Sequence, residues 1–216
     1  MRRLSNGILE NTSQFFSGSI RPEERSFTFF PNFFNDQEQK ILLQSCLKKL
    51  NGLGSHRARK QRRDYTASKP SPALTTDLFL PDKFYEFEEV DLFEHHYSIF
   101  VERCVQEHFD GVIKGFREMH ISSWPQEDFS SLSPLLHRLE MLLPNVNTET
   151  HVLHLSSTGE IFPHVDNIEA SGSWILGVSL GFPRVLKMED CADTTRFFDV
   201  LLPSGSVYVQ RQVLRP

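Results

Sequence analysis

The chain reads as an α+β protein, with an α-rich N-terminal half packed on a C-terminal half of short strands. Two observations set this class. Before residue 148, apolar residues recur at helical spacing between recognisable start and stop signals. After Thr148, short β-branched or aromatic segments alternate with turn residues. Closely spaced strands of that kind indicate a jelly-roll or barrel-like sheet.

Taken in order, Met1 to Ile20 is Ser/Asn-rich, with Glu10 its one acid before Glu23. With two early arginines, residues 1–25 read either as a disordered start or as a weak mitochondrial-type targeting segment. Residues 26–216 then form one domain, its helical part at 26–147 and its β part at 148–216. Ser26 to Phe34 is an aromatic strand. Asn35-Asp36-Gln37-Glu38 offers a capping box, with Asn35 as N-cap and Glu38 reaching back. The helix that follows carries Ile41, Leu42, Cys46 and Leu50, and Asn51-Gly52 ends it.

The basic run His56-Arg57-Ala58-Arg59-Lys60-Gln61-Arg62-Arg63 comes next. It can meet phosphates, but it lacks interleaved aromatics, and a solvated loop is the reading it favours. Lys69-Pro70-Ser71-Pro72 marks a loop. Helical patterns return over 91–107 and 132–143, with a break at Ser122-Ser123-Trp124-Pro125 between them. Expected strands are 151–156, 161–166, 173–181, 185–188, 197–202 and 206–211, with Ser157-Thr158-Gly159 among the turns.

Composition narrows the function classes. Of 216 residues, 39% are hydrophobic and 24% charged, and the formal net charge is −5, so global charge argues for neither nucleic acid nor an acidic membrane. No apolar run approaches the roughly 18 residues of a membrane span. Cys46, Cys104 and Cys191 are odd in number and far apart. That suits a reducing compartment, with neither a disulfide framework nor a zinc knuckle. A monomer is expected. The phenylalanines, 19 in all, cluster near the N-terminus and again over 79–116, and are expected to build core.

His164-Val165-Asp166 is the motif with chemistry in it. His-x-Asp supplies two ligands of the 2-His-1-carboxylate facial triad of non-haem iron. In a strand, residues i and i+2 share a face, so the pair would project together while Val165 turns away. The competing reading is a polar strand end on the surface. A second match, His108-Phe109-Asp110, ends a helical pattern, where i and i+2 diverge by about 200°. It is set aside. His95-His96 reads as helix surface. His151 and His154, three apart on a strand, face opposite sides and make poor joint ligands; His154 lies near the expected site and could support it, but an ordinary strand polar residue is the reading it favours.

Residues 151–188, with His-Val-Leu-His-Leu-Ser-Ser-Thr-Gly-Glu-Ile-Phe-Pro-His-Val-Asp-Asn-Ile and the Gly-Val-Ser-Leu-Gly strand, resemble the AlkB-type Fe(II)/2-oxoglutarate dioxygenases. So do His108-Phe109-Asp110 through Gly115-Phe116-Arg117-Glu118 to Trp124, and Pro203-x-Gly205-Ser206-x-Tyr208. The resemblance runs over roughly 105–210 and is strongest to a mitochondrial branch. It implies a double-stranded β-helix with helices packed on it, and Fe(II) held by His164, Asp166 and a later histidine. The cosubstrate 2-oxoglutarate is decarboxylated while a C–H bond is hydroxylated, or an N-methyl group is lost as formaldehyde. The resemblance also implies a mitochondrial matrix location, with the cytoplasm as alternative. It further implies a protein or RNA substrate and a role in alkylation-induced programmed necrosis and fatty-acid metabolism.

Departures from the family pattern qualify this. No histidine follows His164. The third ligand and the arginines that grip 2-oxoglutarate would follow Tyr208, and Arg211 and Arg215 lie too early to replace them. Leu153 and Leu155 stand where bacterial members carry an Asn-x-Tyr pair. The expectation is a C-terminally shortened member with an incomplete β-helix, impaired cofactor binding, no assigned catalytic residue and no 2-oxoglutarate turnover. The alternatives are a noncatalytic binding protein and a basic-loop RNA-binding module, the latter tested by Arg62→Ala/Arg63→Ala.

Overall fold

The computed structural model describes residues 12–22, 26–69, 74–88, 112–144, 147–166 and 172–211. The expected helix over 91–107, with His95, His96, Cys104, His108 and Asp110, lies outside the described residues, as does Arg215. What is described is mixed α+β with antiparallel sheets throughout.

Strand β1 (Phe16–Gly18) follows a 3-10 turn at Ser13–Phe15, and β2 is Phe27–Phe30. Helix α1 (Asp36–Leu53) and helix α2 (His56–Ala67) come next. Then follow β3 (Ile113–His120), helix α3 (Phe129–Glu140) and β4 (His151–Ile161). The C-terminal part holds β5 (Trp174–Val178), β6 (Arg184–Asp190), β7 (Asp193–Leu202) and β8 (Val207–Arg211). Three sheets result, in the orders β1-β7-β6, β2-β8-β5 and β3-β4.

Alternation along the strands explains the layers. Phe198, Val200 and Leu202 of β7 share one face and bury against Phe27 and Phe29 of β2. This core lies between the first two sheets and is largely aromatic, with Phe16 edge-on to Phe27 and Phe29. On the opposite side of the second sheet, Val207, Leu176 and Val178 pack with Leu42 of α1 and Leu132 and Leu135 of α3. Helices therefore cover one face of the β2-β8-β5 sheet, and the β1-β7-β6 sheet covers the other.

The capping box at Asn35 is present as expected: the Glu38 amide donates to the Asn35 side chain at 3.0 Å and the Asn35 amide to Glu38 at 2.9 Å. Arg138 of α3 pairs with the same Glu38, donates to the Phe33 carbonyl at 2.6 Å and lies over the Phe33 ring. One cap thus ties both helices to the end of β2.

Several expectations need correction. Helix α1 runs through Asn51-Gly52 to Leu53. The basic run is a helix, not a solvated loop, because Ser55 caps it by accepting from the Ala58 amide at 3.2 Å. Phe16 to Gly18, within the expected disordered start, pairs with β7. Ser157-Thr158-Gly159 lies inside β4 and does not end it, but the β3 register breaks there: pairing passes from Leu155 to Glu160 opposite Gly115, whose φ is +61°.

Candidate metal site at the end of strand β4

The β3-β4 ladder stops where the sequence says it must. The Phe162 amide makes a last bond to the Val112 carbonyl at 2.8 Å, and Pro163 has no amide to continue. His164, Val165 and Asp166 therefore lie past the strand, which corrects the expected strand over 161–166. The pair converges all the same. His164 Nε2 is 3.3 Å from the nearer Asp166 oxygen, and both side chains are about one-third exposed, at 31% and 30%. Val165 turns to solvent.

The other imidazole nitrogen is held by the backbone. His164 Nδ1 lies 2.9 Å from the Phe162 carbonyl oxygen, which can only accept. Nδ1 is thus placed to donate to that carbonyl, and Nε2 faces a carboxylate oxygen. A backbone carbonyl behind a histidine is how metal-binding imidazoles are commonly held. The donor set thus fits a divalent cation. Among the described residues, no third His, Cys, Asp or Glu joins the pair within ligand-sharing distance.

Tyr208 of β8 stands close by. Burial, and secondarily the Asp166 charge, push its hydroxyl above the usual tyrosine range. The ring stacks on Phe27 at 5.6 Å, and Gly177 on β5 leaves room for it, since a Cβ there would lie 2.2 Å from the ring. The cavity beside the pair is lined by Trp174, Leu176, His154 and Arg184 as well.

Deeper in the cavity wall, His154 and Arg117 face each other across β3 and β4. Arg117 Nε donates to His154 Nδ1 at 2.9 Å, and Nη1 donates to Asn51 Oδ1 at 2.9 Å. The guanidinium lies 4.1 Å from the Tyr85 ring centre. Burial first, and the Arg117 charge second, hold His154 down to about 4, so the ring stays neutral. Phe79, Tyr85 and Phe87 surround it. His154 meets Arg117, whereas His151, three residues earlier on the same strand, meets His120.

His151 instead meets a residue that sequence reasoning missed. It sits opposite His120 in the β3-β4 register, the ring centres 3.5 Å apart, and Glu149 joins them. One signal was legible, the Glu149-x-His151 spacing. The partner strand was not.

The basic helix is less available to phosphate than its composition suggested. Arg62 is buried, donating to the Phe84 carbonyl at 2.9 Å and the Asn51 carbonyl at 3.0 Å. Arg57, Lys60 and Arg63 remain exposed.

Comparison with known proteins bears on the His164–Asp166 pair. The chain is 36% identical over 111 residues to the mouse (Mus musculus) protein named alpha-ketoglutarate-dependent dioxygenase alkB homolog 7, mitochondrial, a match covering 50% of this chain and 49% of that one. The Bos taurus protein of the same name is 33% identical over 113 residues, with the same coverage. The match thus spans about half the length of each relative. No family model matches the chain.

Proposed function

Since the chain is AlkB-like over the half it shares with these relatives, we propose that it carries an Fe(II)/2-oxoglutarate oxygenase site in which His164 and Asp166 are two of the three protein ligands. The observation that carries this is the convergence of His164 Nε2 and Asp166 at 3.3 Å, with Nδ1 engaged by the Phe162 carbonyl. Bound ferrous iron and 2-oxoglutarate would supply oxidative decarboxylation coupled to hydroxylation of a substrate C–H bond.

The chain's own groups have separable tasks. His164 offers Nε2, its ring oriented by a backbone carbonyl. Asp166 supplies the negative charge. Tyr208 keeps its proton beside that carboxylate. The third ligand, by this reading a histidine, is not among residues 165–216. The two facing sheets β1-β7-β6 and β2-β8-β5, with β3-β4, would be parts of a double-stranded β-helix, and residues 26–216 the oxygenase unit.

The relatives are named mitochondrial, which supports a mitochondrial setting for this chain too. A protein or methylated RNA substrate, and a part in alkylation-induced necrosis and fatty-acid metabolism, belong to the same proposal. A second reading is a noncatalytic binding protein. Assay of Fe(II)-dependent 2-oxoglutarate turnover by the 216-residue polypeptide separates the two contributions. Two donors bind iron but do not complete a triad, so turnover should stay at background. Metal-dependent retention of 2-oxoglutarate should be lost in His164→Ala/Asp166→Ala. Retention unchanged in that variant would remove the proposal.

A further inference from the structure

We propose that His120, Glu149 and His151 form a second metal site, for a zinc-class divalent cation, beyond the opposite end of β4 from the His164–Asp166 pair. The argument starts from register. His120 is the last residue of β3 and His151 the first of β4, and they are direct cross-strand partners. The Ile121 amide donates to the Thr150 carbonyl at 2.8 Å, so the neighbouring 121/150 pair is hydrogen-bonded. Pairs alternate along an antiparallel ladder, which makes 120/151 the non-hydrogen-bonded kind, whose side chains stand closest. The ring separation of 3.5 Å follows from that.

Glu149 lies two residues before His151, just ahead of β4, and its carboxylate reaches the two imidazoles. One ligand atom from each of the three lies within 4.8 Å of the other two. A tetrahedral ion with bonds of about 2.1 Å sets its ligands about 3.4 Å apart. All three side chains are exposed. Among the described residues this is the one group of three with such spacing.

The donor chemistry selects the cation. Two imidazoles and one carboxylate match zinc and its first-row neighbours, whereas calcium and magnesium want all-oxygen shells. Three protein ligands leave a fourth position open to water or to a donor from a partner. An ion here would clip the segment entering β4 to the end of β3.

The test uses the 216-residue chain carrying His164→Ala/Asp166→Ala, so that the first site contributes nothing. Co(II) is titrated and followed by visible absorption, with Zn(II) competition and circular dichroism to verify folding. One equivalent should bind, with the intense visible bands of a low-coordinate ion. Adding His120→Ala/His151→Ala should abolish it, and adding Glu149→Gln should weaken it roughly tenfold. Failure of the parent to bind, or binding unaffected by His120→Ala/His151→Ala, overturns the proposal. Neither result touches the His164–Asp166 reading, whose ligands are absent from this protein.

Discussion

His154 shows how a histidine three residues along one strand from a metal-type histidine can serve structure instead. Its ring is enclosed by three aromatic side chains and accepts from a cation, so protonation would cost both desolvation and repulsion. Its folded value of about 4 lies below the ordinary 6.5. A depressed folded value means the unfolded chain binds the proton first as pH falls. The stability that neutral His154 contributes is therefore complete above about pH 6.5 and drains away between there and pH 4, by about 3 kcal/mol. Urea unfolding at pH 7 and pH 4.5 should show this loss, and His154→Gln should shrink it. An equal pH dependence in the variant would contradict the assignment. None of this was legible in the sequence, because it depends on Arg117 arriving from another strand. The His164–Asp166 pair was legible, since two residues separated by one need only local geometry to meet. The reason offered, a strand, was wrong. Pro163 ends the ladder and a backbone carbonyl orients the ring.

The start of helix α1 was legible because its signals are local, whereas its end lies past Asn51-Gly52 at Leu53. The capping box needs only Asn35 and Glu38, and Asn35→Ala should cost about 1 kcal/mol in thermal or urea unfolding. The same cap engages Arg138, so Glu38→Gln should also weaken the α1-α3 attachment. Strands β3 and β4 were misread for a complementary reason. Ser157-Thr158-Gly159 has turn chemistry, but Asp82 accepts from the Ser157 amide at 2.9 Å and from its hydroxyl at 2.6 Å, tying the stretch where the register breaks to a residue distant in sequence. There, residue 115 of β3 lies opposite residues 156–159 of β4. Between β7 and β8, Gly205 has φ of +80°, and a Cβ there would lie 2.3 Å from Gln39 Nε2 and 2.6 Å from the Phe34 carbonyl. Gly205→Ala should cost about 1–3 kcal/mol, read by urea unfolding. A neutral result would show that the β2 end and the β7-β8 turn are not held together as described.

Across the molecule, the mixed α+β class and the aromatic core followed from composition and spacing, whereas the order did not: β3 (Ile113–His120) lies within the part expected to be helical. Which sheets face each other did not, because strand pairing joins residues far apart in sequence, such as Phe16 with Val200. The core between the sheets should be the main source of cohesion. Phe198→Ala, which empties its centre, should cost about 3–5 kcal/mol, measured by urea unfolding. The two metal-type clusters sit beyond opposite ends of β4 and can be tested apart. The most direct measurement is anaerobic Fe(II) equilibrium binding to the chain carrying His120→Ala/His151→Ala, with and without His164→Ala/Asp166→Ala. Iron should bind the first protein and fall at least roughly tenfold in the second. Equal iron binding by both would show that His164 and Asp166 do not hold the metal.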